Sequence, residues 1–376
     1  MGNQKEIKGK YTSAKIFTTK ENPIEEYALA QLQMLCDNET LQGCKVRIMP
    51  DVHPGKVGTI GLTMTVGEKI LPNLVGVDIG CGMTIAKLKQ KKMELQKLDA
   101  VIRERIPSGF AHRKTPHHFM DEIDLSKLYC ASSIYMKSVE LSLGTLGSGN
   151  HFIEVDKDEE GNLYVVIHSG SRFLGKEVTE YYLNAGQKAL KEQEINIPYE
   201  LTYLEGDLKG QYLHDMQIVQ EFASLNREAM IYELIKGMKL KTEDIYSCIH
   251  NYIEENENGC LLRKGAISAK ENEPVIIPIN MKDGIILGYG KGNEDWNCSA
   301  PHGAGRILRR DEVKNHFTVN QYKKEMKGIY SSCIGKETLD EAPFAYRSLN
   351  QIAEAIEETV VIDKIIKPIY NFKAGK

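Results

Sequence analysis

The stretch Asn73-Leu74-Val75-Gly76-Val77-Asp78-Ile79-Gly80-Cys81-Gly82-Met83 constrains the fold more than any other part of the chain. Its apolar flanks favour burial, yet it carries an acid and, shortly after, a cysteine between two glycines. Glycine at such a point allows a sharp turn or the close approach of another group. A carboxylate buried without a partner is costly, so the surroundings of Asp78 and Cys81 have to satisfy both. A metal ion would do so. The alternative is a glycine-rich turn with a structural acid and an inert buried thiol.

The 376 residues suffice for one large or two ordinary domains. The balance of 41% hydrophobic and 27% charged residues is that of a soluble globular chain. No apolar run reaches the ~20 residues of a membrane-spanning helix, and residues 1–6 are polar, without a signal core. Eight cysteines with no CxxC pair exclude a disulfide scaffold and a zinc ribbon and point to a reducing, cytoplasmic setting. A formal net charge of −4 excludes a general polyanion binder by bulk charge, so any grip on a polyanion has to be local.

Residues 1–20 read as an irregular arm or edge strand. Asn22-Pro23-Ile24-Glu25 reads as a helix start, with Asn22 as N-cap and Pro23 at the first helical position, and the helix should end near Cys36. Strands are expected over 45–49, 59–66, 83–88, 152–155, 163–167, 245–253, 275–279, 285–287 and 360–372, the first ending at Pro50-Asp51-Val52-His53-Pro54-Gly55. Helical spacing predicts helices over 93–105, 126–137, 173–191 and 207–238. Residues 107–122 read as a polar loop with His112, His117 and His118 facing solvent. Gly288-Tyr289-Gly290-Lys291-Gly292 reads as a flexible link, and residues 299–306 as the opening of a helix. Thr318 with Gln321 and Ser348 with Gln351 have capping-box spacing. No linker, repeat or low-complexity run divides the chain. The expected fold is α+β, one large domain over 1–376 with mixed β-sheets, flanking helices and an active site at the glycine-rich strand ends.

Four histidines share the setting of Asp78 and Cys81. His151, His168, His250 and His302 each sit at a strand end or turn beside Asn, Ser or Gly. Any one of them is most simply a hydrogen-bonding structural residue. Together, one carboxylate, one thiolate and three or four imidazoles suit one or two transition-metal ions, and a thiolate can bridge two. These ligand types favour Zn²⁺ or Fe²⁺ and allow Mn²⁺. The small residues Gly303-Ala304-Gly305 would let a nucleotide approach the backbone, and Arg306 can grip phosphate. The plainer alternative is a tight helix start with a surface Arg.

Seven pieces, in order, resemble the RtcB family of RNA ligases. They are Met49-Pro50-Asp51-Val52-His53, Val75–Gly82, the run Leu143-Gly144-Thr145-Leu146-Gly147-Ser148-Gly149-Asn150-His151-Phe152, His168-Ser169-Gly170-Ser171-Arg172, His250-Asn251, Arg263-Lys264-Gly265-Ala266 and His302-Gly303-Ala304-Gly305-Arg306. The resemblance implies a GTP- and Mn²⁺-dependent ligase that joins RNA ends bearing a 2′,3′-cyclic phosphate or 3′-phosphate to a 5′-hydroxyl, in tRNA splicing or RNA repair. It implies Asp78, Cys81, His151, His168 and His250 as ligands of two Mn²⁺ ions, with Cys81 bridging. It implies His302 as the nucleophile that carries GMP before the RNA 3′ end is activated. Asn150, Glu154, Ser299, Gly303, Ala304, Gly305, Arg306 and Lys373 would hold the nucleotide, and Asp51 would orient or deprotonate a reactant. An archease-type activator is a candidate partner, and no membrane is involved.

Lys87, Lys89, Lys91, Lys92, Arg113, Lys114, Arg309 and Arg310 are candidate RNA contacts, the alternative being a solvated face. Two other functions remain open on residues alone. One is a metal-dependent phosphohydrolase that only opens cyclic phosphates, and the other is a non-enzymatic RNA-binding protein with structural metals.

Overall fold

Runs of β-branched residues separated by glycine, proline and Asx turns build three sheets in the computed structural model, which describes residues 5–19, 23–257 and 259–375. The strands are β1 (Lys5–Lys8), β2 (Ser13–Ile16), β3 (Val46–Pro54), β4 (Thr59–Val66), β5 (Gly82–Leu88), β6 (Phe152–Lys157), β7 (Leu163–Ser169), β8 (Thr242–Ile249), β9 (Asn251–Asn256), β10 (Gly259–Lys264), β11 (Ala266–Ser268), β12 (Pro274–Asn280), β13 (Gly284–Gly290), β14 (Ser299–Pro301) and β15 (Val360–Phe372). One sheet runs β1-β2-β3-β4-β10-β9 and another β12-β13-β15-β6-β7-β5-β8, while β11 and β14 form a short pair. Only β2 and β3 pair in parallel within the named strands; the architecture is the expected mixture of sheets and flanking helices. No helix among the described residues is long and apolar enough to cross a membrane.

The helices are α1 (Glu26–Cys36), α2 (Pro72–Val75), α3 (Leu95–Arg105), α4 (Met136–Ser142), α5 (Arg172–Glu192), α6 (Gly206–Met238), α7 (Arg310–His316), α8 (Val319–Glu325) and α9 (Leu349–Ala355). The largest apolar core joins the six-stranded sheet to α1, α5 and α6 through residues such as Leu32, Ile48, Leu62, Tyr182 and Phe222. A second core packs α3 and the end of α6 on β6, β7 and β15, and a third small one gathers Val313, Tyr322, Met326 and Leu339.

Helix α6 carries buried polar residues that fix the glycine-rich strand ends. Asn226 Oδ1 accepts from the Gly144 and Thr145 amides at 2.8 and 3.0 Å, while its Nδ2 donates to the Gly170 carbonyl at 3.0 Å. Arg227, fully buried, donates to the Gly80 and Ser169 carbonyls at 2.9 and 3.0 Å. Carbonyls and amides that leave a strand have no ladder partner, and these side chains supply one. Three separate motifs are thereby tied to one helix.

Several sequence expectations are corrected. Helix α1 starts at Glu26 with Glu25 as N-cap, so Pro23 is not its first residue, and Asn22 lies outside the described residues. Strand β3 does not stop at Pro50 but continues to Pro54 through an irregular pairing between Ile48 and His53. Residues 126–137 do not form one helix. The Asp215 carboxylate accepts from the amides of Tyr129 and Cys130, which diverts them from a helical ladder and leaves two 3₁₀ turns before α4. The 245–253 segment is two strands in different sheets, parted at His250. Gly288, Tyr289 and Gly290 belong to β13 and pair with β15 rather than forming a loose link. Residues 299–306 open no helix: β14 pairs with β11, and α7 begins only at Arg310. His117 is buried rather than solvent-facing, against His118, Phe119 and Tyr232. Both capping boxes form as expected.

Candidate metal and nucleotide site

The five expected metal ligands converge. Asp78 and Cys81 occupy the turn between α2 and β5, His151 precedes β6, His168 is near the end of β7, and His250 stands between β8 and β9. Cys81 Sγ lies 3.4 Å from both His151 Nε2 and His168 Nε2. His151 Nε2 lies 3.0 Å from Asp78 Oδ2, and His168 Nε2 lies 3.4 Å from His250 Nε2. The ligand atoms of Cys81, His151 and His168 all fall within 4.8 Å of one another. The pairwise contacts form a chain from Asp78 through His151, Cys81 and His168 to His250, with the thiol at its centre.

The tautomers suit metal binding. His151 Nδ1 donates to the Leu146 carbonyl at 2.9 Å and His168 Nδ1 to the Asn150 carbonyl at 3.1 Å, so both rings turn an Nε2 lone pair inward. Burial holds His168 and His250 well below the usual imidazole range, which keeps them neutral. Burial raises the Cys81 thiol, so a cation is needed to make it a thiolate ligand. Separations of 3.0–3.4 Å between neighbouring donors are short enough for a metal ion with ligand bonds of about 2.0–2.3 Å to be held between them. The residues present fit the ion. Burial opposes ionisation of Asp78, but a proton on His151 Nε2, the position a metal ion would take, outweighs it and holds the carboxyl at about 2. Its Oδ1 accepts from the Ser171 amide at 3.1 Å. A Cβ on Gly170 would come within 2.1 Å of that oxygen, so only glycine admits Asp78 there.

His302 follows β14 and stands next to this cluster, its ring centroid 4.7 Å from that of His250. Its Nδ1 donates to Asp51 Oδ2 at 2.7 Å. Asp51 comes from β3 and is fully buried. A carboxylate accepting at Nδ1 fixes the proton there and leaves the Nε2 lone pair free. Gly305 has φ +69, and a Cβ on it would sit 2.2 Å from the Asp51 carbonyl oxygen, so the loop after His302 packs directly on the strand that carries Asp51. His53, whose Nδ1 approaches the Asp51 carbonyl oxygen at 2.9 Å, is lowered to about 4, chiefly by burial.

A cavity of about 280 Å³ opens from His302. Asn150, Glu154, Gly303, Ala304, Gly305, Arg306 and Lys373 line it. Ser299 does not; its Oγ accepts from Arg263 Nε at 2.9 Å inside the protein. Asp51 is not part of the lining either and stands behind the His302 ring. Glu154 accepts from Asn371 Nδ2 and is raised to about 7 by burial, with Asn371, Asp156 and Lys373 acting the other way. Sequence reasoning missed His53, Glu341, Tyr346 and Asn371 as lining residues. Only His53, within a recognised motif, carried any signal.

The candidate RNA contacts divide. Lys87 pairs with Glu243 at 2.7 Å, Arg113 with Glu233 at 3.2 Å and Arg309 with Glu312 at 3.0 Å, while Arg310 turns into the cavity. Lys91 reaches Asn162, and Lys89, Lys92 and Lys114 are exposed.

Comparison with known proteins shows the family. The family model described as tRNA-splicing ligase RtcB matches residues 34–133 and 120–374. The chain is 31% identical over 369 residues to the RNA-splicing ligase RtcB of Escherichia coli K12, covering 87% of this chain and 90% of that protein. It is 29% identical to the tRNA-splicing ligase RtcB of Aeropyrum pernix, with 85% of each chain covered. With the matched segments spanning the whole donor cluster, His302 and the cavity, the chain belongs to the RtcB family of tRNA-splicing ligases.

Proposed function

We propose that this RNA ligase joins 2′,3′-cyclic phosphate or 3′-phosphate ends to 5′-hydroxyl ends, in tRNA splicing or RNA repair, with GTP as the energy source and two Mn²⁺ ions at the donor cluster. Residues 1–376 would act as one catalytic domain in the cytoplasm, with an archease-type protein as a candidate activator. Asp78, Cys81 and His151 would hold one ion, and Cys81, His168 and His250 the other. Bound there, the ions would neutralise charge on phosphoryl oxygens and help to orient the reacting groups.

The chain's own residues account for the group transfer. His302 Nε2 attacks the α-phosphorus of GTP; the N–P bond forms, the bond to pyrophosphate breaks, and Asp51 keeps the remaining ring proton on Nδ1. Water would first open a 2′,3′-cyclic end, breaking its P–O2′ bond and leaving a 3′-phosphate and a 2′-hydroxyl; the RNA 3′-phosphate then takes GMP from His302, forming a P–O–P linkage as the P–N bond breaks. The 5′-hydroxyl attacks this activated end, the phosphodiester forms and GMP leaves. Asn150, Glu154, Arg306 and Lys373 would hold the nucleotide, while the small side chains of Gly303, Ala304 and Gly305 leave it room.

The observation that carries this reading is His302, pinned by Asp51 at 2.7 Å, at the wall of a cavity and against His250 of the donor cluster. Incubation with GTP and Mn²⁺ followed by intact-mass measurement is expected to show one covalent GMP, absent from His302→Ala. A wild-type protein that binds metal but forms no adduct would overturn the ligase mechanism and favour the phosphohydrolase. An adduct that survives in His302→Ala would show that the nucleophile is misassigned.

A further inference from the structure

Glu341 has no place in any motif of the chain, yet it is the most heavily engaged carboxylate of the cavity. It is 3% exposed and lies in a short 3₁₀ turn, Leu339–Glu341. Its Oε2 accepts from Lys373 Nζ at 2.7 Å and from the Tyr346 hydroxyl at 2.6 Å. Its Oε1 lies 3.5 Å from Arg306 Nη1 and in contact with Arg310 Nη1. Tyr346 Oη also accepts from Arg306 Nη1 at 3.1 Å, so the network closes on itself. Three cations that converge from residues 306, 310 and 373 thus share one buried anion, and all four side chains line the cavity. Burial opposes ionisation of Glu341, but Lys373, Arg310 and Arg306 outweigh it and hold the carboxyl at about 2.

Three long cationic side chains around a small cavity repel one another and have many rotamers. One buried carboxylate eases both problems, because it holds Lys373 by a charge-assisted hydrogen bond and Arg306 and Arg310 by ion pairing. Asp340, next in the chain, takes Arg310 and Lys314 from the outer side, so Glu341 is left to face inward. Arg306 is further held by the Asp340 and Leu308 carbonyls. Arg306 and Lys373 are the cations that the proposed function assigns to the nucleotide.

We infer that Glu341 is a positioning residue that sets Arg306, Arg310 and Lys373 in the geometry that receives GTP; the inference rests on the nucleotide reading of this cavity. It acts through its partners and touches no reacting atom. The sign of its effect separates positioning from simple charge. If Glu341 were only a negative charge near the ligand, its neutralisation would tighten the binding of a polyphosphate. If it positions the cations, neutralisation loosens that binding.

The test is the GTP dependence of His302 guanylylation in Glu341→Gln, Lys373→Ala and the double variant, with the folded fraction read by thermal melting. The expected result is a KM for GTP raised at least tenfold in Glu341→Gln, with kcat changed less. Lys373→Ala should add little in that background, because residues acting as one unit are not additive. Glu341→Asp, which keeps the charge but shortens the reach, should raise KM as well and serves if the Gln variant melts below the assay temperature. An unchanged or lowered KM in folded Glu341→Gln, or additive effects of the two substitutions, would overturn the inference. A wild-type protein without any adduct would instead overturn the reading beneath it.

Discussion

Replacing Asp51 tests the chemistry most directly. The carboxylate is fully buried and is the partner of His302 Nδ1, at 2.7 Å. In the proposed guanylylation the ring would become cationic as Nε2 bonds to phosphorus, and the Asp51 charge would face it across that hydrogen bond. Asp51→Asn keeps the shape and leaves a neutral acceptor. A hydrogen bond to a charged group contributes about 1.5–3 kcal/mol and a neutral one about 0.5–1.5, so about 1–2 kcal/mol is lost. At 1.36 kcal/mol per decade this is roughly a 5- to 30-fold slower guanylylation. If the amide instead turns its NH₂ to the ring, the proton moves to Nε2 and the nucleophile is blocked, with losses towards ~10⁴-fold of the kind seen when a carboxylate partner of a catalytic histidine is amidated. The assay is single-turnover formation of labelled GMP–protein at saturating GTP, beside a thermal melt. A folded Asp51→Asn variant within twofold of the wild-type rate would refute the argument.

Two further outcomes are expected. Gly170→Ala should displace Asp78, since its Cβ would meet Oδ1 at 2.1 Å, and should lower retained Mn²⁺ after dialysis; unchanged metal content would contradict a ligand role for Asp78. His117, held down to about 4 mainly by burial, binds its proton less readily folded than unfolded. Wild-type stability should therefore fall as pH drops from about 6.5 to about 4, and His117→Phe should flatten that slope in urea midpoints; an identical slope would refute it.

The strands were legible where the pattern was local. The β-branched run 59–66 and the long segment 360–372 form β4 and β15 with the expected bounds. The setting shared by Asp78, Cys81, His151, His168, His250 and His302 was legible, a reactive side chain beside a small residue at a strand end, but it did not separate His302 from the others; only the family resemblance did. The loop after His302 was misread because small residues suit a helix start as well as a close approach, and only the tertiary contact with Asp51 decides between them. Glu341 left no trace because its partners are spread over residues 306 to 373 and a Leu-Asp-Glu-Ala run resembles any surface turn. His117 was misplaced for a like reason: Tyr232, which helps to cover it, lies on α6. Buried polar hubs are products of distant packing, and neither periodicity nor composition reports them.

His250 sits where β8 of one sheet gives way to β9 of the other, and Asp51 reaches His302 from the six-stranded sheet while Cys81 precedes β5 and His168 belongs to β7 of the seven-stranded one. The donor cluster and His302 therefore lie on a seam between two halves of the molecule. Neither sheet alone can assemble them. An ion seated on Cys81, His168 and His250 would clamp the seam and add its binding free energy to the folded state alone. Competence to take up GMP would then be a readout of complete folding: a chain whose sheets had formed but not yet docked would be unable to spend nucleotide.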